Sequence, residues 1–237
     1  MVNTILFDLD GTLLSFDQDE FIKLYFLKIE ERFLKHGYPK GVIVNALYEG
    51  LKAMLENDGK VTNEEAFWNR FSFFLGDIYY FFEKEFSNFY NQEFNEIRKI
   101  VKHNEYAHKV IAELKRKNYN LVLATNPLFP RIATINRMQW DNFHPDDFIL
   151  ITTYENSSFT KPNIKYYEEI IQKISKNPSE CLMVGNDVSE DLVASTLGMD
   201  TYLITDNLIN LGNKDYSNYK NGSFQDFYEY ILKLPSI

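Results

Sequence analysis

Two aspartates stand two residues apart in Asp8-Leu9-Asp10-Gly11-Thr12, at the end of an apolar run over residues 2–8. In a turn both carboxylates can converge on one point, and Gly11 permits backbone geometry that other residues resist. Comparable polar residues follow other apolar runs: Thr125 and Asn126 after residues 120–124, and Asn186 and Asp187 after residues 181–185. The run over residues 148–152 leads through a polar loop at 154–160 to Lys161-Pro162. Each of these positions carries a group suited to a phosphate or a metal ion.

The elements that must position these groups follow from the spacing. The apolar runs at 2–8, 120–124, 148–152, 181–185 and 201–204 suit strands buried on both faces of a parallel sheet. Helical spacing occupies 106–117, 130–138, 164–174 and 187–197, and a last apolar helix is expected at 224–232 after a polar, Asn-rich stretch. Strand and helix alternating in this way predict an α/β fold of βαβ units. Open sheets of this class bind ligands beyond the carboxyl ends of their strands, where the polar residues fall.

Residues 16–97 break the rhythm, with helical patterning, many aromatics and no strand. Asp17 or Asp19 is placed to cap a helix through Phe21, Leu24, Tyr25 and Lys28 to Leu34, ended by His36-Gly37-Tyr38-Pro39. Thr62 and Glu65 make a capping box for the next helix, towards Leu75. Gly76-Asp77 then punctuates before a helix over 78–90. The block reads as an all-helical insertion after the first strand. That divides the chain into a discontinuous α/β core, 1–15 with 98–237, and a helical cap, 16–97.

Composition removes several classes of function. With 34 acidic against 25 basic residues the net charge is −9, which argues against nucleic acid as the main partner. The aromatic stretch 67–90 carries Arg70, Asp77, Glu83, Lys84 and Glu85, so it does not read as a membrane span. A lone cysteine, Cys181, and no secretory signal pattern at the N-terminus predict a cytoplasmic protein. His36, His103, His108 and His144 lack metal-ligand spacing and read as surface or helix-end residues.

Asp-x-Asp-Gly-Thr at the end of a first strand resembles motif one of the haloacid dehalogenase superfamily, in its phosphatase form. Residues 121–126 resemble motif two, an apolar strand ending in Ser or Thr; Lys161 resembles the motif-three lysine; Gly185-Asn186-Asp187 with Asp191 resembles the acidic motif four. The four come in the superfamily's order. The resemblance implies a Rossmann-like core with a helical cap and a Mg²⁺-dependent phosphatase acting on a small phosphorylated metabolite, as a monomer or homodimer.

By the same resemblance, Asp8 is the nucleophile that forms an aspartyl-phosphate, and Asp10 is the general acid and then base. Asp8, Asp187 and the Asp10 main-chain oxygen hold the metal, with Asp191 the other candidate ligand. Thr125 and Lys161 hold the phosphate; Leu9, Thr12 and Asn126 line it; Asp191 and Asn186 support from behind. Asp10 speaks against dehalogenation, because a halide leaving group needs no proton. A phosphomutase, or a non-catalytic binder of a phosphorylated ligand, are the alternatives. The aromatics between Phe67 and Tyr90 pack a core, line a pocket for the leaving group or mediate self-association.

Overall fold

The computed structural model describes residues 1–75 and 79–237. Strands β1 (Thr4–Phe7), β2 (Asn120–Leu123), β3 (Leu150–Ile151), β4 (Cys181–Gly185), β5 (Asp200–Ile204) and β6 (Lys220–Gly222) form one sheet in the order β3-β2-β1-β4-β5-β6. All five pairings are parallel. The central register sets Leu6 of β1 beside Val122 of β2 and Met183 of β4. With both faces of β1 covered, all four of its residues are buried, which is why the run carries no polar alternation.

Eight α-helices among the described residues accompany the sheet. Four lie between β1 and β2's preceding helix: α1 (Gln18–Lys35), α2 (Val42–Leu55), α3 (Asn63–Leu75) and α4 (Tyr79–Asn91), followed by a 3₁₀ helix over Glu93–Ile100. The others are α5 (Glu105–Arg116), α6 (Arg131–Trp140), α7 (Ile164–Ile174) and α8 (Phe224–Lys233). Asp17 caps α1 by accepting from the Glu20 amide at 2.9 Å. At the next predicted cap, the Glu65 amide donates to Thr62 Oγ1 at 3.1 Å and the Thr62 amide to Glu65 Oε2 at 2.9 Å. The Gly76-Asp77 turn lies outside the described residues. No helix among those described is long and apolar enough to cross a membrane.

The chain leaves β1 for the helical block and returns at neighbouring points, where the Lys102 amide donates to Ser15 O at 2.8 Å. One continuous apolar core joins block and sheet: Phe21 of α1 packs against Phe94, Phe129 and Trp140 at ring-centroid distances of 6.1–6.3 Å. Polar bonds seal a second seam. Asn63, fully buried at the start of α3, donates from its amide to Ser157 O at 2.8 Å and from its side chain to Phe159 O at 3.2 Å.

Two expectations need correction. Residues 187–197 do not form one α-helix: a turn leads into a 3₁₀ helix over Leu192–Leu197. The Asp187 carboxylate takes the amides of Ser189 and Glu190 at 2.6 and 2.9 Å, an alternative to helix that short acidic side chains offer. The polar stretch before α8 also contains the edge strand β6, whose three residues show no β-branched or apolar signature.

Candidate active site

β1 delivers Asp8 to the carboxyl edge of the sheet, where its amide donates to Val184 O at 2.9 Å and the Ala124 amide to Phe7 O at 2.7 Å. The chain then turns tightly, with Gly11 N to Leu14 O at 2.8 Å and Leu14 N to Leu9 O at 2.9 Å. Gly11 sits at φ +84°, and a Cβ there would lie 2.4 Å from Asn186 Nδ2. Both the backbone conformation and the close approach require glycine.

Asp8, Asp10, Thr125, Asn126, Asn186, Asp187 and Asp191 come together at one end of a cavity of about 490 Å³. Lys161 lies buried beneath, its Nζ donating to Asp8 Oδ1 at 2.9 Å and to Asp191 Oδ1 at 2.7 Å. The other Asp191 oxygen accepts from the Asp187 amide at 2.9 Å. The Thr125 carbonyl is held by Thr152 Oγ1 at 2.7 Å and Tyr166 Oη at 2.8 Å, which anchors the end of β2. Asn126 accepts from the Lys161 amide at 3.2 Å, tying that strand end to the lysine loop. Asn186 accepts from Thr12 Oγ1 at 2.9 Å and donates to Asn207 O at 2.6 Å.

Leu9 and Thr12 stand differently from the other expected residues. Both are fully buried and neither side chain lines the cavity. The Thr12 hydroxyl lies 3.3 Å from Asp8 Oδ2, so it bears on the site through that carboxylate.

Two further residues belong to the arrangement. Arg137 of α6 is fully buried, donates from Nη1 to Asp10 Oδ2, and lies 4.4 Å from the centroid of the Phe129 ring. Its one sequence signal was its place on the buried face of that helix, beside Ala133 and Thr134. Glu190 lines the cavity and accepts from Asn126 Nδ2 at 3.2 Å; it falls within the acidic run after β4, in the segment expected to be helical. Among the histidines, His103 and His108 both face Asp141, at 2.7 and 3.2 Å, and none of the three lines the cavity.

The electrostatics are dominated by buried acids. Burial pushes the Asp8 carboxyl up to about 7, against the pull of Lys161 and with the push of Asp191 and Asp10. Burial raises Asp10 as well, although Arg137 and Lys161 draw it down. Glu190 is lifted to about 7 by burial, which outweighs Lys161, with Asp191 and Asp187 adding to the rise. Burial pulls the Lys161 ammonium down, but Asp191 and Asp8 outweigh it and hold Lys161 well above the usual lysine range.

The donor chemistry suits a hard divalent cation. Among the described residues, five carboxylates line the cavity against two buried cations at its floor, Lys161 and Arg137. Asp10 Oδ1 is buried with no hydrogen-bond partner among the described residues. An excess of converging carboxylate oxygens is what a small, oxygen-seeking ion would neutralise.

The chain resembles known proteins in sequence and in fold. The chain is 28% identical over 100 residues to glyceraldehyde 3-phosphate phosphatase of Methanothermobacter thermautotrophicus, a match over 41% of this chain and 42% of that protein. It is 20% identical over 205 residues to pyrophosphatase PpaX of Bacillus thuringiensis, covering 86% and 83% of the two chains. In fold it matches the hydrolase YfnB of Bacillus subtilis, solved bound to magnesium, with a TM-score of 0.57, 21% identity and coverage of 97% and 98%. The family model for haloacid dehalogenase-like hydrolases matches residues 2–195, a span that takes in β1 through β4 and every carboxylate of the cavity floor, and the chain belongs to that family.

Proposed function

We propose that this hydrolase is a magnesium-dependent phosphatase of small phosphomonoesters that works through an aspartyl-phosphate. The observation that carries the reading is the buried Asp8–Lys161–Asp191 chain at 2.9 and 2.7 Å, with Asp10 two residues beyond Asp8 and all three carboxylates on one cavity. A carboxylate so placed is a nucleophile already oriented, and phosphoryl transfer asks mainly for positioning and charge neutralisation. The two relatives named as phosphatase and pyrophosphatase act on phosphorylated compounds, which supports the same class.

In this reading an Asp8 oxygen bonds to phosphorus as the ester P–O bond breaks, and Asp10 gives its proton to the departing alkoxide. Water then attacks the same phosphorus, Asp10 takes its proton, and the P–O bond to Asp8 breaks to release phosphate. The raised pKa of Asp10 suits a group that must hold a proton for the leaving oxygen. Lys161 keeps Asp8 aimed, and Thr125 and Asn126 hold phosphate oxygens. Asp8, Asp187 and the Asp10 main-chain oxygen would hold Mg²⁺; both Asp191 oxygens are engaged by Lys161 and the Asp187 amide, which favours Asp187 as the ligand. Magnesium, when bound, supplies the positive charge that lets a carboxylate approach a phosphate dianion.

Residues 16–97 then act as the cap and residues 1–15 with 98–237 as the catalytic core, a division supported by the adjacent strands of chain at Ser15 and Lys102. The single cysteine, buried and free, fits a cytoplasmic protein.

The test is phosphate release from a panel of phosphomonoesters with Mg²⁺ and then with EDTA. Metal-dependent release is expected. Asp8→Asn should lower kcat by at least about a thousandfold while leaving the circular-dichroism spectrum intact. Undiminished release by Asp8→Asn sinks the nucleophile assignment. Isomerised sugar phosphate with little free phosphate replaces the phosphatase with a mutase.

A further inference from the structure

The cavity walls differ from its floor in a way that selects a leaving group. Phe21, Tyr25 and Phe26 of α1, Leu47 and Leu51 of α2, and Phe129 after β2 form an apolar surround above the carboxylates. Among the described residues lining the cavity there is no lysine, arginine or histidine. Building on the phosphatase reading, we infer that the substrate's leaving group is an uncharged, largely apolar alcohol, of aromatic or branched hydrocarbon shape.

Charge excludes the main alternatives. A leaving group with a carboxylate or a second phosphate would enter a space whose described lining presents no cation: Arg137 behind Phe129 is already paired with Asp10, and Lys161 beneath with Asp8 and Asp191. An unpaired charge in such surroundings is strongly disfavoured. A sugar has a hydroxyl on nearly every carbon, and each needs a partner when taken from water. The walls offer little: Gln18 and the hydroxyls of Tyr25 and Tyr48, of which the Tyr25 hydroxyl is already bonded to Tyr90 at 3.0 Å.

Shape agrees with charge. At about 490 Å³ the cavity falls within the size range of pockets that enclose whole organic ligands, more than a two- or three-carbon chain fills. Its wall is backed by solid packing: a Cβ on Gly50 would lie 2.5 Å from the Phe67 ring, so α2 is pressed directly onto α3. The apolar character continues to the rim, where Tyr48 stacks on Phe26 at 4.9 Å and remains half exposed beside the exposed Ile22. Exposed apolar groups bordering an apolar cavity mark an entrance for an apolar ligand.

The deciding experiment compares 2-phenylethyl phosphate, glycerol 1-phosphate and 2-phosphoglycolate with the magnesium-loaded protein. All three release poor alkoxides, so wall recognition and not leaving-group reactivity sets the order. The kcat/KM for phenylethyl phosphate should exceed the other two by at least about tenfold, which corresponds to about 1.4 kcal/mol. Leu51→Arg, which puts a cation on the wall, should reverse the order in favour of phosphoglycolate. Should that variant fail to fold, the wild-type ratios decide. Equal rates, or a preference for either polar ester, overturn the inference.

Binding separates this inference from the reading beneath it. Release from none of the three esters, nor from acetyl phosphate, counts against the phosphatase reading. Calorimetry with Asp8→Asn and Mg²⁺ then still judges the wall. A Kd for phenylethyl phosphate at least tenfold below that for phosphoglycolate upholds it, and the reverse order removes it.

Discussion

The floor and the walls of the cavity are built by opposite rules. On the floor, polar atoms meet specific partners: Lys161 Nζ meets Asp8 at 2.9 Å and Asp191 at 2.7 Å, and Asn126 spans from the lysine loop to Glu190, with the buried Asp10 Oδ1 left for a cation. In the walls, rings meet in stacked and edge-on pairs alike, as where Tyr48 stacks on Phe26 at 4.9 Å and Tyr25 faces Phe129 at 5.3 Å and 76°. Charge-assisted hydrogen bonds weaken steeply with distance and angle, whereas apolar contact tolerates any shape that fills the space. The floor therefore demands particular residues at particular positions, and the walls demand volume.

The most severe test of this contrast is Lys161→Met. It leaves Asp8 and Asp191 buried and facing one another, and losing one member of a buried ionic network typically costs about 3–5 kcal/mol. Leu47→Met, on the buried wall, keeps the volume and should cost less than about 1.5 kcal/mol. Urea unfolding of the two variants gives both numbers, and equal losses would erase the distinction. The Lys161→Met deficit should also grow with pH. Without the ammonium, the folded state must keep protons on acids that the unfolded chain releases near pH 4, so stability falls as pH rises.

Arg137 tests the boundary between the two regions, because it bonds Asp10 on the floor while stacking on Phe129 of the wall. Arg137→Met keeps much of the apolar contact but removes the charge partner. The Asp10 side chain retains some access to solvent, so about 1.5–3 kcal/mol of stability should be lost, less than for Lys161. On the phosphatase reading kcat should fall while KM changes little, since Asp10 acts on the leaving oxygen rather than on binding. A change confined to KM would place Arg137 with the wall.

The same division decides what could be read from the sequence. Asp8, Asp10, Thr125, Asn126, Asn186 and Asp187 were legible because a parallel sheet brings its strand ends to one edge, and each stands just past an apolar run; Asp191 was reached through the resemblance to motif four. Arg137 was not, since its partner lies 127 positions away and a helix does not reveal which distant group its buried face will meet. Nor was the origin of the wall. The aromatic stretch 67–90 supplies only Phe67 to the cavity among its described residues; Phe71, Phe82, Phe86 and Phe89 pack the core, while Phe73 and Tyr80 are exposed. The lining comes chiefly from α1 and α2, in which aromatic residues are sparser and so less conspicuous.

The smallest effect concerns the place where the wall does carry polar atoms. Tyr25 and Tyr90 share a buried hydrogen bond at 3.0 Å. Burial pushes Tyr25 up to about 12, against the smaller pulls of Tyr90 and Arg137, and burial with Tyr25 as neighbour raises Tyr90 further. Between pH 10 and 12 the unfolded chain has released these protons and the folded chain has not. The folded state then binds more protons, and stability falls as pH rises, by up to about 1.4 kcal/mol per pH unit for each tyrosine held neutral. Tyr25→Phe removes one such group but leaves the Tyr90 hydroxyl without its partner. The variant should be about 1 kcal/mol less stable than wild type at pH 8 and should lose stability more slowly above pH 10. Urea midpoints from pH 8 to pH 11.5 measure both slopes. Parallel curves would mean that the Tyr25 hydroxyl reaches solvent in the folded protein, and that this part of the wall is open to water.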